Sequence, residues 1–238
     1  MKFEEVLKKY FPLFYTEVDF IKKTYNALNK IGFDEHNTIS TTCICRDEIA
    51  QPIRSVIKHI WGENFNLSSL AGMFFAGKTG LLAAMDHAPN VGGRERYVYY
   101  VLPHIAMDAD GRAGVCRRRG REEESVACGS LSALHTEMTS GRINLSIDYE
   151  DVEQSLVKIR LLREITYGHV PDLLELTKLT EEAIRTDLEH ALDKIVDKSK
   201  SDYAVMSGIQ IHGPDANYIA PVSCSAMVNG ERREITLG

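Results

Sequence analysis

Apolar positions along the 238-residue chain recur with two different periods, and the switches between them outline the elements. Phe3, Val6, Leu7, Tyr10 and Phe14 fall at helical spacing with charge between them, which predicts an amphipathic helix broken near Pro12. A second helix is expected over 18–30. Residues 1–34 therefore read as an N-terminal helical arm, because that stretch has too little core of its own to stand as a domain. The segment 38–45, rich in Ile and Thr, predicts the first strand, ending at the charged Arg46-Asp47-Glu48. A helix through Ile53, Val56 and Ile60 is expected next, then a glycine-punctuated apolar stretch over 67–80, then a helix through Leu81, Leu82 and Met85. The run Tyr97-Val98-Tyr99-Tyr100-Val101-Leu102 within 96–104 is almost continuously apolar, as a strand buried on both faces of a parallel sheet is.

From 108 to 127 the chain is rich in glycine and charge and predicts a long loop, a length that in a compact domain points to function or disorder. Residues 129–138 predict a helix. Asp148 and Asp151 mark a helix start ahead of Val152, Leu156, Ile159 and Leu162, and a further helix is expected over 173–196. Residues 203–211 and 218–228 alternate like two late strands, with Gly213-Pro214-Asp215 as the turn between them. Alternating strands and helices predict a single α/β domain over 1–238, with a mainly parallel central sheet flanked by helices. Sites in such sheets gather beyond the carboxyl ends of the strands, where Cys45 and His104 both fall.

Composition narrows the function. An apolar content of 44% and a charged content of 26% are ordinary for a globular chain, and a net charge of −6 argues against nucleic-acid or anionic-membrane binding. Arg117-Arg118-Arg119 with Arg121 runs straight into Glu122-Glu123-Glu124, the pattern of a self-neutralising loop. No stretch approaches the roughly 18 apolar residues of a membrane span, and the charged N-terminus lacks the apolar core of a secretion signal. A cytoplasmic location follows as the expectation, with the five cysteines as thiols or metal ligands rather than a disulfide framework.

Three of those positions carry candidate chemistry. Cys45, His104 and Cys128 sit at strand ends or loop-to-helix junctions, and catalytic zinc takes three such ligands with a fourth position left for water. Their wide separation in sequence suits a site assembled from several strands, while buried packing of two cysteines and a strand-end histidine is the plain alternative. The surrounding strings decide between them. Cys45-Arg46-Asp47-Glu48, Gly77-Lys78-Thr79-Gly80 with His87-Ala88-Pro89, Pro103-His104-Ile105, and Gly111-x-x-Gly114-x-x-x-Arg118-x-Gly120 closing on Ala127-Cys128-Gly129 occur in order across 41–131. This arrangement resembles the limiting-CO2-inducible protein B/C family, the θ-class relatives of the β-type carbonic anhydrases.

The resemblance implies a β-carbonic-anhydrase-like fold, a Cys45-His104-Cys128 zinc site, a homodimer, and interconversion of carbon dioxide with bicarbonate. An aspartate and an arginine would assist. Asp47 is the aspartate candidate, since strand alternation points it with Cys45, although capping the segment that begins at Ile49 is an equal role for it. β-type enzymes resemble a Cys-x-Asp-x-Arg pattern, and here Ile49 stands where the arginine would be. The partner is then Arg118, folding back from the loop, or Arg46, which alternation points away. A zinc protein of the same fold that binds bicarbonate or a partner without catalysis is the alternative.

A rival signal is Gly72-x-x-x-x-Gly77-Lys78-Thr79, which satisfies the phosphate-loop pattern of nucleotide hydrolases, with Asp108 as a possible second acid. Met73, Phe74, Phe75 and Ala76 would crowd a loop that must wrap phosphate, so an apolar wall beside the zinc pocket is the preferred reading. Cys43 is assigned to core packing, His87 to a helix end, and His36, His59, His135, His169, His190 and His212 to surface or ordinary packing.

Overall fold

A computed structural model describes residues 3–238. In chain order the strands are β1 (Tyr15–Thr16), β2 (Thr38–Ile44), β3 (Asn64–Asn66), β4 (Asn90–Val91), β5 (Arg94–Leu102), β6 (His104–Ala106), β7 (Val115–Cys116), β8 (Ser125–Val126), β9 (Ser201–His212), β10 (Asn217–Val228) and β11 (Glu231–Glu234). The helices are α1 (Phe3–Leu7), α2 (Glu17–Asn29), α3 (Ile53–Trp61), α4 (Gly77–Met85), α5 (Gly129–Ser140), α6 (Val152–Leu161) and α7 (Leu173–Ile195).

The central sheet runs β1-β10-β9-β5-β2-β3. Its interior pairings, β2 with β3, β2 with β5, β5 with β9 and β6 with β9, are all parallel, as the buried apolar runs imply. The β9–β10 hairpin, β1 and β11 extend it antiparallel along one edge, so the whole sheet is mixed. Period-two alternation in β5 divides the core. Tyr97, Tyr99 and Val101 pack with α4, α5, α6 and α7 on one face, while Val98, Tyr100 and Leu102 pack with α2 and α3 on the other. The same alternation in β2 sends Cys43, and Cys45 just beyond its end, to the α5 face and Ile44 to the α3 face.

Two differences from the sequence expectation concern the ends of elements. The first helix stops at Leu7, well before Pro12, because proline disfavours helical backbone at the residue before it and the chain must extend to pair β1 with β10. The arm is therefore stitched into the sheet edge, with Leu7 and Phe11 in an apolar cluster with Ile105, Ile209 and Ile211. The second difference lies at Pro103, which has no N–H for the ladder and splits the expected 96–104 strand into β5 and β6. β6 then continues along β9, placing His104 opposite Gln210. The expected 108–127 loop also folds back on itself as the β7–β8 ribbon.

Candidate metal centre

Cys45 follows β2, His104 opens β6 and Cys128 precedes the first turn of α5. All three are buried, and one donor atom from each lies within 4.8 Å of the others. The two sulfurs are 3.7 Å apart. Two sulfurs about 2.3 Å from a tetrahedral zinc would sit about 3.8 Å apart, so the spacing fits a shared metal, although an S–H···S hydrogen bond has a similar length.

The histidine separates these readings. His104 Nδ1 lies 3.0 Å from His212 Nε2, whereas His104 Nε2 is buried with no partner among the described residues. An orphaned ring nitrogen next to two thiols is a donor set that fits a soft metal ion, since buried nitrogens are otherwise hydrogen-bonded. Cys128 also sits at the N-cap of helix α5. That placement favours a thiolate. Against that, the contact with the Cys45 sulfur and then burial push the Cys128 thiol up, while the same contact pulls Cys45 down to about 4.

Asp47 lies two residues after Cys45 and its backbone N–H points at the Cys45 sulfur at 3.5 Å. Its carboxylate serves two ends at once. It accepts the Ile49 N–H at 3.3 Å, which closes a turn rather than capping a helix because α3 begins only at Ile53, and it takes both terminal nitrogens of Arg118. Burial pushes the Asp47 carboxyl up, but the Arg118 guanidinium outweighs it and holds the group below its ordinary value. Arg118 further donates to the Val126 carbonyl at 3.2 Å and pairs with Glu48, which pins the loop before Cys128 to the end of β2. Arg46 points the other way, to Glu153 Oε1 at 2.8 Å and the Ser68 carbonyl at 3.3 Å.

The glycine-rich segment lies beside these residues in apolar company. Met73 and Phe74 are buried and belong to the same cluster as Cys45 and Cys128. Gly72 has φ of +81° and its α-carbon abuts the backbone of Ile44, where a Cβ would come within 3.2 Å of the Ile44 carbonyl carbon. Lys78 and Thr79 are exposed in the first turn of α4. Asp108 closes its own loop by accepting the N–H of Arg112 at 2.8 Å and its Nε at 2.6 Å.

Sequence reasoning passed over His212. It is buried, its imidazole is pushed down to about 3 by that burial and by His104, and its Nδ1 meets Asn217 Oδ1 at 3.1 Å. A histidine closing a largely buried strand was the only signal for it, and that signal does not reveal its neighbour. A cavity of about 740 Å³, lined in part by Glu48, Ile49, Cys116, His212 and Asn217, opens beyond this histidine.

Comparison with known proteins follows the geometry. The family described as limiting CO2-inducible proteins B/C, β carbonic anhydrases, matches residues 14–228. The crystal structure of limiting CO2-inducible protein LCIB is similar at 33% identity and a TM-score of 0.82, over 97% of each chain. That of PtLCIB4, a homologue of LCIB, has a TM-score of 0.84 over 98% of this chain and 99% of its own, at 24% identity. No match is found among curated proteins.

Proposed function

This chain belongs to the limiting CO2-inducible protein B/C family of β carbonic anhydrases, and from that premise we propose that it is a zinc enzyme interconverting carbon dioxide and bicarbonate. Cys45, Cys128 and His104 Nε2 would hold the ion. Two thiolates and an imidazole are a soft donor set that suits zinc over the oxygen-seeking cations. Zinc so bound lowers the pKa of a water to about 7 and thereby supplies a nucleophile for carbon dioxide at neutral pH.

The protein's own groups do the rest. Arg118 holds both Asp47 oxygens, so the carboxylate would be engaged by the guanidinium rather than by the ion. Asp47, kept ionised by the same contact, would accept a hydrogen bond from a water at the site and orient it. Met73, Phe74 and Ala71, buried in the same apolar cluster as Cys45 and Cys128, keep bulk water from the inner side of the sulfurs. Arg46 acts at the periphery, on Glu153. The buried, unpartnered His104 Nε2 beside two cysteine sulfurs is the observation that carries this reading.

The same reading includes one domain spanning 1–238, a homodimer, a cytoplasmic location, and no nucleic-acid or membrane partner. Among the described residues no helix is long and apolar enough to cross a membrane. The test is zinc content of the purified protein together with stopped-flow carbon dioxide hydration of wild type and Cys128→Ala. About one zinc per chain with a rate lost in Cys128→Ala supports the enzyme. Bound zinc with equal background rates marks a zinc protein of the same fold without the reaction, and absence of zinc overturns the metal site.

A further inference from the structure

We infer that Glu17, Asn217 and His212 form a directional hydrogen-bond chain that positions His104 and decides which of its ring nitrogens is offered to the metal. The inference rests on the metal site proposed above and extends it to residues outside the ligand set.

The chain begins at a carboxylate. Glu17 opens α2 and is half-buried, accepting Gln210 Nε2 at 2.7 Å, and the Asn217 side-chain amide lies close enough to its carboxyl to oppose the upward push of burial. A carboxylate only accepts, so Asn217 turns its NH2 toward Glu17 and its Oδ1 toward His212 Nδ1, 3.1 Å away. An amide oxygen also only accepts, so His212 carries its proton on Nδ1. His212 Nε2 is then a bare lone pair, and at 3.0 Å it takes the proton of His104 Nδ1. What remains is His104 Nε2 as a lone pair, the form a metal binds and the atom that is buried without a partner. Reversing every bond would face an amide oxygen against the Glu17 carboxylate and present an N–H to the metal.

Backbone pairing presets the arrangement. His104 stands opposite Gln210, and His212 opposite Asn217 across the β9–β10 hairpin, so neighbouring strands bring the groups together before any side chain chooses a rotamer. Only Glu17 comes from outside the sheet.

The test measures zinc affinity by chelator competition on wild type, His212→Leu, His212→Gln and Glu17→Gln, with the long-range 1H–15N spectrum of histidine-labelled, metal-free protein. The metal-free wild type is expected to show His104 as a single tautomer with hydrogen on Nδ1. His212→Leu should weaken zinc binding about 10- to 100-fold. His212→Gln should restore most of that loss, because Gln Oε1 can accept where Nε2 did. Glu17→Gln can donate as well as accept, so His104 should become a mixture of tautomers. Should His212→Leu fail to fold, the wild-type and Glu17→Gln spectra decide. A hydrogen on His104 Nε2 in the wild type, an unchanged spectrum in Glu17→Gln, or wild-type zinc affinity in folded His212→Leu would overturn the chain. Failure of the wild type to bind zinc would overturn the metal reading instead, while the spectra would still test the chain.

Discussion

Arg118 grips Asp47 with both terminal nitrogens, Nη1 to Oδ1 at 3.1 Å and Nη2 to Oδ2 at 2.9 Å, across 71 residues of sequence. This fork-to-fork geometry is specific to arginine, since a lysine offers one point charge. Arg118→Ala is expected to lower kcat/KM for carbon dioxide hydration by about 100-fold, the scale of a misplaced catalytic group, with zinc content unchanged. Arg118→Lys should recover part of it. Stopped-flow rates beside metal analysis check this, and full activity in Arg118→Ala would remove Asp47 positioning from the mechanism.

Gly72 lies against the backbone that leads into Cys45, at a φ few side chains adopt. Gly72→Ala is expected to destabilise the fold by about 1–3 kcal/mol through that strain and to weaken zinc binding by shifting Cys45. Urea unfolding and chelator competition read the two effects separately.

The phosphate-loop pattern makes an opposite prediction for its lysine. Lys78 is exposed on α4, so Lys78→Ala should leave thermal stability, zinc content and hydration rate as in wild type. Nucleoside triphosphate should not raise the melting temperature of either protein. A rise in wild type that Lys78→Ala abolishes would reinstate the nucleotide reading.

On the α2–α3 face, the Tyr100 hydroxyl accepts the Trp61 indole N–H at 2.9 Å and meets Thr24 Oγ1 at 2.8 Å. Tyr100→Phe keeps the ring but strands a buried indole donor, at a cost of about 1–3 kcal/mol in chemical denaturation. Metal affinity should not move, because this network lies on the other face of the sheet from the sulfurs.

Asp202 is buried between Arg94, at 2.6 Å, and Arg96. Burial pushes its carboxyl up, yet Arg94, the Asn229 N–H and Arg96 prevail and hold it below the ordinary value of 3.8. A depressed carboxyl contributes stability that is present above the unfolded-state pKa and lost as pH falls through the folded one. Stability should therefore decline from about pH 4 downward, and Asp202→Asn should flatten that part of the profile. At neutral pH the substitution should cost about 3 kcal/mol, the low end for a broken buried pair because Arg94 keeps some contact with water.

Much of the fold was legible along the chain. The 97–102 run marks a two-side-buried strand by its lack of polar positions, and β5 is such a strand. The 173–196 periodicity is α7 to within a residue. What was not legible arises from pairing between distant segments. Nothing near Tyr15 signals that the arm must extend to meet β10, and nothing near Pro103 tells that its break redirects His104 along β9. His212 was invisible for the same reason. Its meaning depends on a residue more than a hundred positions away.

The sequence by itself determined the elements, the alternation that puts Cys45 and Ile44 on opposite faces, and the three residue types able to hold a soft metal. These follow from local periodicity and from the chemistry of single side chains. Tertiary structure alone decided which arginine meets Asp47, since Arg46 and Arg118 carry the same charge and only the folded loop brings one of them to 2.9 Å. It also decided the direction of the hydrogen bonds behind His104. Direction there depends on a carboxylate three groups away, and hydrogen bonds act only over distances that the folded sheet creates.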